Sequence, residues 1–208
     1  MGSIIVRRFL QEKLPLIGIR RKNSNLSLVE DIKDSIEWRE ADILNPVSLH
    51  DALSGVNTVI HSAALVSYNP RESKKIFKTN VEGTANVVNA CLGNHVHRLL
   101  HVSSVAALGI QKGIHKLTED SKWINNPLHS AYAESKYLAE LEVARGYEEG
   151  LHTAIVNPSV ILAPFERNQS SARLFNYIIN ENSFYIEGFL HYVDARDVAE
   201  MIYKLYRS

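Results

Sequence analysis

Short apolar runs alternate along this chain with longer stretches whose apolar residues recur every three or four positions. The first kind of pattern predicts buried strands and the second amphipathic helices. Leu14 to Ile19 reads as a strand ending at Arg20-Arg21. Ile36 to Ala41 reads as a second strand, followed by Asp42-Ile43. Asn45-Pro46 opens a helix through Leu53, and Gly55 stops it. Thr58 to Ala64 is a buried strand rich in β-branched and small residues, and Ile76 to Leu92 has helical spacing with Gly93 behind it. Arg98 to Val102 is a strand that runs into Ser103-Ser104. Ala131 to Tyr147 is a helix with Gly146 and Gly150 near its end. Thr153 to Val156 is a strand halted by Asn157-Pro158, and Ala195 to Tyr206 closes the pattern as a helix. No internal repeat interrupts the alternation.

Strands alternating with helices imply parallel β-α-β units and a sheet covered on both faces, an α/β, Rossmann-like, doubly wound fold. Ligands in such sheets bind beyond the carboxyl ends of the strands. The residues just after each strand are therefore the candidate functional ones: Arg20, Asp42, Ala63-Ala64, Ser103-Ser104 and Asn157-Pro158-Ser159.

Composition narrows the classes. The 208 residues fit one domain, with 23 Lys plus Arg balanced by 23 Asp plus Glu. A zero net charge offers no global basic field for nucleic acid or an anionic membrane. The single cysteine, Cys91, can form no internal disulfide and no zinc cluster, which fits a reducing, cytoplasmic setting. No apolar run reaches the length of about 18 residues that a membrane helix needs. No metal is expected.

Tyr132 and Lys136 stand four apart on the helix from Ala131, hence on one face. A nearby ammonium favours tyrosinate and is expected to lower the tyrosine pKa. A tyrosine tuned in this way can pass a proton to or from a carbonyl or alcohol oxygen. Alone the pair is a weak signal among nine tyrosines, and an exposed Tyr beside a solvated Lys is the plain alternative. Ser103-Ser104 after the preceding strand could hydrogen-bond the same oxygen, or simply end the strand. Asn80 could hold a water or a backbone kink if buried, or be satisfied within its own helix.

Six segments in order sharpen the picture: His61-Ser62-Ala63-Ala64, Asn80-Val81-Glu82-Gly83-Thr84, His101-Val102-Ser103-Ser104, Tyr132-Ala133-Glu134-Ser135-Lys136, Asn157-Pro158-Ser159 and Tyr192 to Ala199. Together they resemble the extended short-chain dehydrogenases/reductases. The nearest branch is that of the 3β-hydroxysteroid dehydrogenases, dihydroflavonol reductases and NAD-dependent epimerase/dehydratase proteins. The resemblance implies a role for each residue. Tyr132 would be the general acid/base, and Lys136 would lower its pKa and bind the nicotinamide ribose. Ser104, with Ser103 as stand-in, would orient the substrate oxygen. Asn80 would support the site through its backbone and a water. Ala63 and Ala64 would line the cofactor, Asp42 and Ile43 would meet the adenine, and Pro158 and Ser159 would flank the nicotinamide. Asp194 to Ala199 looks structural in the family. Family members often dimerise through the tyrosine-bearing helix, which implies a possible homodimer.

An acid at the end of the second strand of such folds grips the ribose 2′-hydroxyl of NAD, whereas an arginine accommodates the 2′-phosphate of NADP. Here Arg20-Arg21-Lys22 occupies that place, with no acid, which points to NADP with NAD as the alternative. Solvated surface arginines are the plain alternative.

The chain also departs from the family. Family members open with a strand and a Gly-x-x-Gly-x-x-Gly turn that cradles pyrophosphate at a helix N-terminus. Here Gly2 aligns with the last glycine of that turn, and the first strand and first two glycines have no counterpart. That strand lies centrally in the sheet, so its neighbours are expected to be left unpaired. Family members also continue well past Ser208, and a fragment or a misassigned start is the simplest account.

The expected domain is residues 1–208, with 165–190, including Arg167, Asn168, Arg173, Phe175, Tyr177 and Tyr185, contributing to a partial substrate region or forming a surface helix and loop. The expected activity is hydride transfer between nicotinamide and a small secondary alcohol or ketone. A nucleotide-sugar epimerase or dehydratase, and a non-catalytic nucleotide-binding or interaction protein, remain alternatives.

Overall fold

The structure, a computed structural model, describes residues 1–109, 116–127, 129–163, 179–180 and 190–208. Helix α1 (Gly2–Leu10) is followed by strands β1 (Ile17–Arg20) and β2 (Glu37–Glu40), helix α2 (Pro46–Ala52) and strand β3 (Thr58–His61). Helix α3 (Ser73–Phe77) passes through a π-helical turn (Lys78–Glu82) into α4 (Gly83–Gly93), then strand β4 (Arg98–Val102). Helix α5 (Ala131–Glu148), strands β5 (His152–Val156), β6 (Val160–Leu162) and β7 (Tyr192–Asp194), and helix α6 (Ala195–Arg207) complete the order.

Every described strand pair is parallel. β4 is central to a three-stranded sheet in the order β3-β4-β5, while β1-β2 and β6-β7 form separate pairs. The expected break in the sheet is present: among the described residues β1 bonds only to β2, and β3 only to β4. In a sheet built 3-2-1-4-5-6, the gap between β1 and β3 is the place of the family's first strand.

Side chains alternate across β4 and divide the core in two. Leu99 faces a cluster with Leu49, Leu53, Val87, Val88, Cys91 and Val143, from α2, α4 and α5. Leu100 and Val102 face the opposite cluster, with Ile5, Phe9, Val198, Ile202 and Tyr203 from α1 and α6. Helix α1, which precedes the first element of the sequence reading, docks on α6. Phe9 meets the Tyr203 ring edge-on at 5.5 Å, and the Arg8 guanidinium lies 3.9 Å above that ring while pairing with Glu200. A close crossing joins α4 and α5, where a Cβ at Gly146 would lie 2.8 Å from Val88 Cγ1.

Several boundaries shift. Leu14 and Leu16 pack on the core ahead of β1 rather than within it, and β3 stops at His61, so Ser62 to Leu65 form a loop. The helix expected over Ile76 to Leu92 is split by the π turn at Asn80. The Asn45 cap is as its sequence demands, its side chain accepting from the Ser48 amide with Pro46 in the first turn. Of the segment 165–190, only Ile179, Asn180 and Leu190 are among the described residues. No helix among the described residues is long and apolar enough to cross a membrane.

Candidate active site

Ser130 starts the site by capping α5, its hydroxyl accepting from the Ala133 amide. The cap fixes where the helix begins, and the helical repeat then places Tyr132, Lys136 and Glu140 along one face. That face packs against the end of β4. Tyr132 is 9% exposed and Lys136 only 1%, so the plain alternative of a surface Tyr and a solvated Lys does not hold.

The expected depression of the Tyr132 pKa by Lys136 does not occur. Burial raises the phenol's pKa, the nearby Ser104 hydroxyl pulls it down, and Tyr68 pushes it up. The reason is where Lys136 points. Its Nζ donates to the Val102 carbonyl at 2.9 Å and lies 3.3 Å from His101 Nε2, both on β4. Burial brings the Lys136 pKa down to about 8, with Glu140 opposing.

Asn80 holds the next layer. Its carboxamide accepts from the Leu65 amide at 2.7 Å, donates to the Leu65 carbonyl at 3.0 Å, and donates to Ser135 Oγ at 3.0 Å. Ser135 Oγ in turn donates to the Tyr132 carbonyl. Asn80 therefore fastens the loop after β3 to the helix that carries Tyr132. The π turn supplies the geometry: Thr84 Oγ1 donates to the Asn80 carbonyl at 2.6 Å, and single π turns concentrate at functional positions.

Ser104 sits at the carboxyl end of β4, partly exposed, its Oγ accepting from the Ala106 amide. Ser103 is buried, its amide bonded to the Val156 carbonyl, and its Oγ lies by Glu140 without a hydrogen bond of good geometry. Asn157 ties this end together, donating to the Ser104 carbonyl at 3.1 Å and to Glu140 at 2.6 Å. Burial raises the Glu140 pKa, against the pull of Ser103, Asn157 and Lys136.

The candidate cofactor residues line the same edge. Ala63 and Ala64 are exposed in the loop after β3. A Cβ on Gly2, at the start of α1, would lie 3.5 Å from Ser62 Oγ, an ordinary contact, so that helix terminus abuts the loop. Asp42 accepts from the Leu44 amide. Ile43 packs over Gly83, where a Cβ would lie 2.8 Å from Ile43 Cδ1, and its carbonyl accepts from Asn86. Pro158 and Ser159 follow β5, partly exposed, and the Pro158 carbonyl accepts from the Val105 amide. Arg20 ends β1, its guanidinium donating to the Lys22 carbonyl at 3.2 Å. Neither Arg20 nor Arg21 makes an ion pair among the described residues. No group of three metal-ligating side chains is close enough to hold an ion among the described residues.

Sequence reasoning gave no role to His61, His101, Ser135 or Glu140. Glu140 was signalled by its spacing of two helical turns from Tyr132. His101 was signalled by a polar residue amid the apolar run of β4.

A parallel sheet with a Tyr-Lys helix against the central strand, and small residues after the strand beside it, is an arrangement of the short-chain dehydrogenase type. The chain belongs to the NAD dependent epimerase/dehydratase family, whose model matches residues 1–208. It is 27% identical over 201 residues to a putative dihydroflavonol 4-reductase of Synechocystis, covering 96% of this chain and 58% of that protein. It is 28% identical over 214 residues to cinnamoyl-CoA reductase 1 of rice, covering 96% of this chain and 62% of the relative. The chain thus spans about 60% of the length of these curated relatives. Among solved structures, the dTDP-glucose 4,6-dehydratase DesIV of Streptomyces venezuelae, with NAD bound, superposes with a TM-score of 0.82 at 22% identity, covering 100% of this chain and 69% of that one. That likeness speaks for the fold alone.

Proposed function

We propose that the chain carries the catalytic and nucleotide-binding half of an NAD(P)-dependent oxidoreductase acting on a secondary alcohol or ketone. The observation that supports this most is the convergence of Tyr132, Ser104 and the buried Lys136 at the end of β4, with Asn80 tying the layer beneath. The relatives named as reductases point the same way.

A bound nicotinamide cofactor would supply the hydride. The residues that would hold it are Gly2, Arg20, Asp42, Ile43, Ala63, Ala64, Lys136, Pro158 and Ser159. They fit such a group: the small side chains after β3 are exposed, and the guanidinium at the end of β1 has no carboxylate partner among the described residues. Tyr132 does the proton work. With its pKa raised by burial, it keeps its proton at neutral pH and acts as the acid in the reducing direction, giving the proton from Oη to a carbonyl oxygen. Ser104 Oγ orients that oxygen. Lys136 brings positive charge to the floor of the site, where low dielectric strengthens it.

Arg20 supports NADP over NAD, because a planar guanidinium suits a 2′-phosphate and no acid stands in its place. A cytosolic location and a homodimer through α5 belong to the same proposal. The buried, unpaired Cys91 supports the first, and Leu141 (48% exposed) and Tyr147 (60% exposed) on α5 support the second.

The test is NADPH oxidation by the chain against a panel of ketones and aldehydes, with Tyr132→Phe as control. Turnover that the substitution abolishes is expected. Turnover unchanged by Tyr132→Phe overturns the assignment. Tightly held NAD that does not exchange with free NADPH would favour the epimerase or dehydratase alternative instead.

A further inference from the structure

Among the described residues Lys136 is the largest side chain that is almost fully buried, and burial of an ammonium is costly unless its donors are satisfied. An ammonium has three donors. One is spent on the Val102 carbonyl at 2.9 Å. The second lies against His101 Nε2 at 3.3 Å. His101 is itself only 1% exposed, and its other ring nitrogen, Nδ1, has no hydrogen-bond partner among the described residues. Behind it the His61 ring lies 5.1 Å away, centroid to centroid, and is held by Thr84 Oγ1 at 3.1 Å. Thr84 bonds the Asn80 carbonyl. The two imidazoles thus form a packed wall between Lys136 and the π turn.

We propose that His101 is a positioning residue for Lys136, its neutral imidazole accepting from Nζ so that strand β4, through His101 and Val102, sets the direction and proton affinity of the ammonium. An accepting Nε2 must be unprotonated, so the hydrogen of the neutral ring resides on Nδ1. A cationic imidazole could not accept at all. Burial and the Lys136 charge hold the His101 pKa well below its ordinary value, and burial, then Lys136, brings that of His61 down to about 3. Both rings therefore stay neutral where Lys136 titrates. The other titratable groups around Lys136 are Glu140 and Tyr132 on its own helix, with Tyr68 beside Tyr132. The catalytic consequence rests on the oxidoreductase proposal, but the effect on Lys136 does not.

The experiment titrates Lys136 in the full chain, with isotope-labelled lysine followed by NMR and Lys136→Met used for assignment. His101→Phe removes the acceptor and keeps a ring, and His101→Gln restores an acceptor. With Phe the ammonium loses a partner, so its proton affinity is expected to fall about tenfold, one pKa unit. With Gln at least half of that shift is expected to be recovered. If the Phe chain does not fold, His101→Met serves in its place. Equal titration of Lys136 in the wild type, the acceptor-free variant and Gln overturns the proposal. A shift in Lys136 without any NADPH oxidation by the wild type would sink the oxidoreductase reading and leave the positioning role standing. Oxidation with no shift would do the reverse.

Discussion

The two halves of the sheet differ in how well they are held. β4 is bonded on both edges, covered on both faces, and buried from Leu99 to Val102. β1 is bonded on one edge, no residue in it is fully buried, and Ile19 is 38% exposed. The chemistry-bearing residues sit on the first half: Ser104 extends β4, and Tyr132 and Lys136 pack against it. The candidate for NADP choice, Arg20, sits on the second. The proposed proton-transfer geometry is thus built into the better-bonded half of the sheet, while the arginine proposed to favour NADP depends on a strand pair that is bonded on one edge among the described residues. A catalytic group tolerates little displacement. A long guanidinium reaching for a phosphate tolerates more.

The largest test of this contrast is chemical. Tyr132→Phe should lower NADPH-dependent carbonyl reduction by about 10²- to 10⁴-fold, the usual loss for a general acid, with the far-UV circular dichroism unchanged. Hydrogen exchange tests the mechanical side. Amides of β4 should be protected about a hundredfold more than those of β1 and β2, because opening the open-edged pair breaks fewer contacts. Equal protection would mean that the open edge is covered.

Asn80→Ala removes an amide that satisfies both Leu65 backbone groups and Ser135. A loss of about 2–3 kcal/mol in urea unfolding is expected, from buried groups left unpaired. Arg20→Ala, on the loose half, should weaken NADPH binding about tenfold and leave NADH unchanged, in keeping with one lost charge-assisted contact. Equal effects on both nucleotides would remove Arg20 from cofactor choice.

The buried imidazoles give a pH signature. Unfolded, His61 and His101 take up protons near their ordinary value, whereas the folded rings resist, His61 down to about 3. The unfolded chain therefore binds more protons as pH falls from about 6.5 toward 3, and stability must fall across that window. Urea midpoints for the wild type and His61→Phe should diverge there, the variant losing less.

Much of this arrangement was legible beforehand. β4 runs over the residues expected, because its apolar run and flanking serines leave little choice, and α5 starts at Ala131 as its helical period predicts. The i, i+4 spacing placed Tyr132 and Lys136 on one face but said nothing of burial, and burial is what turned the tyrosine pKa upward rather than downward. Nor could helical spacing show that Lys136 leans toward β4, since His101 comes to it from 35 residues away. Helix α1 was hidden by brevity: its buried residues, Ile5 and Phe9, give barely one helical period. The split between β1 and β3 followed from the family comparison rather than from periodicity, because a strand's own residues do not state which neighbours it has.

The most direct test of the central claim follows the hydride and the proton together. The chain is mixed with NADPH carrying deuterium at nicotinamide C4 and a ketone that the panel shows to be consumed, and the product is examined by mass spectrometry, with Tyr132→Phe alongside. The account predicts deuterium on the carbinol carbon with the wild type and a rate lower by at least a hundredfold with Phe. NADPH bound but no deuterium transferred to any carbonyl of the panel, or equal transfer by both chains, would contradict it.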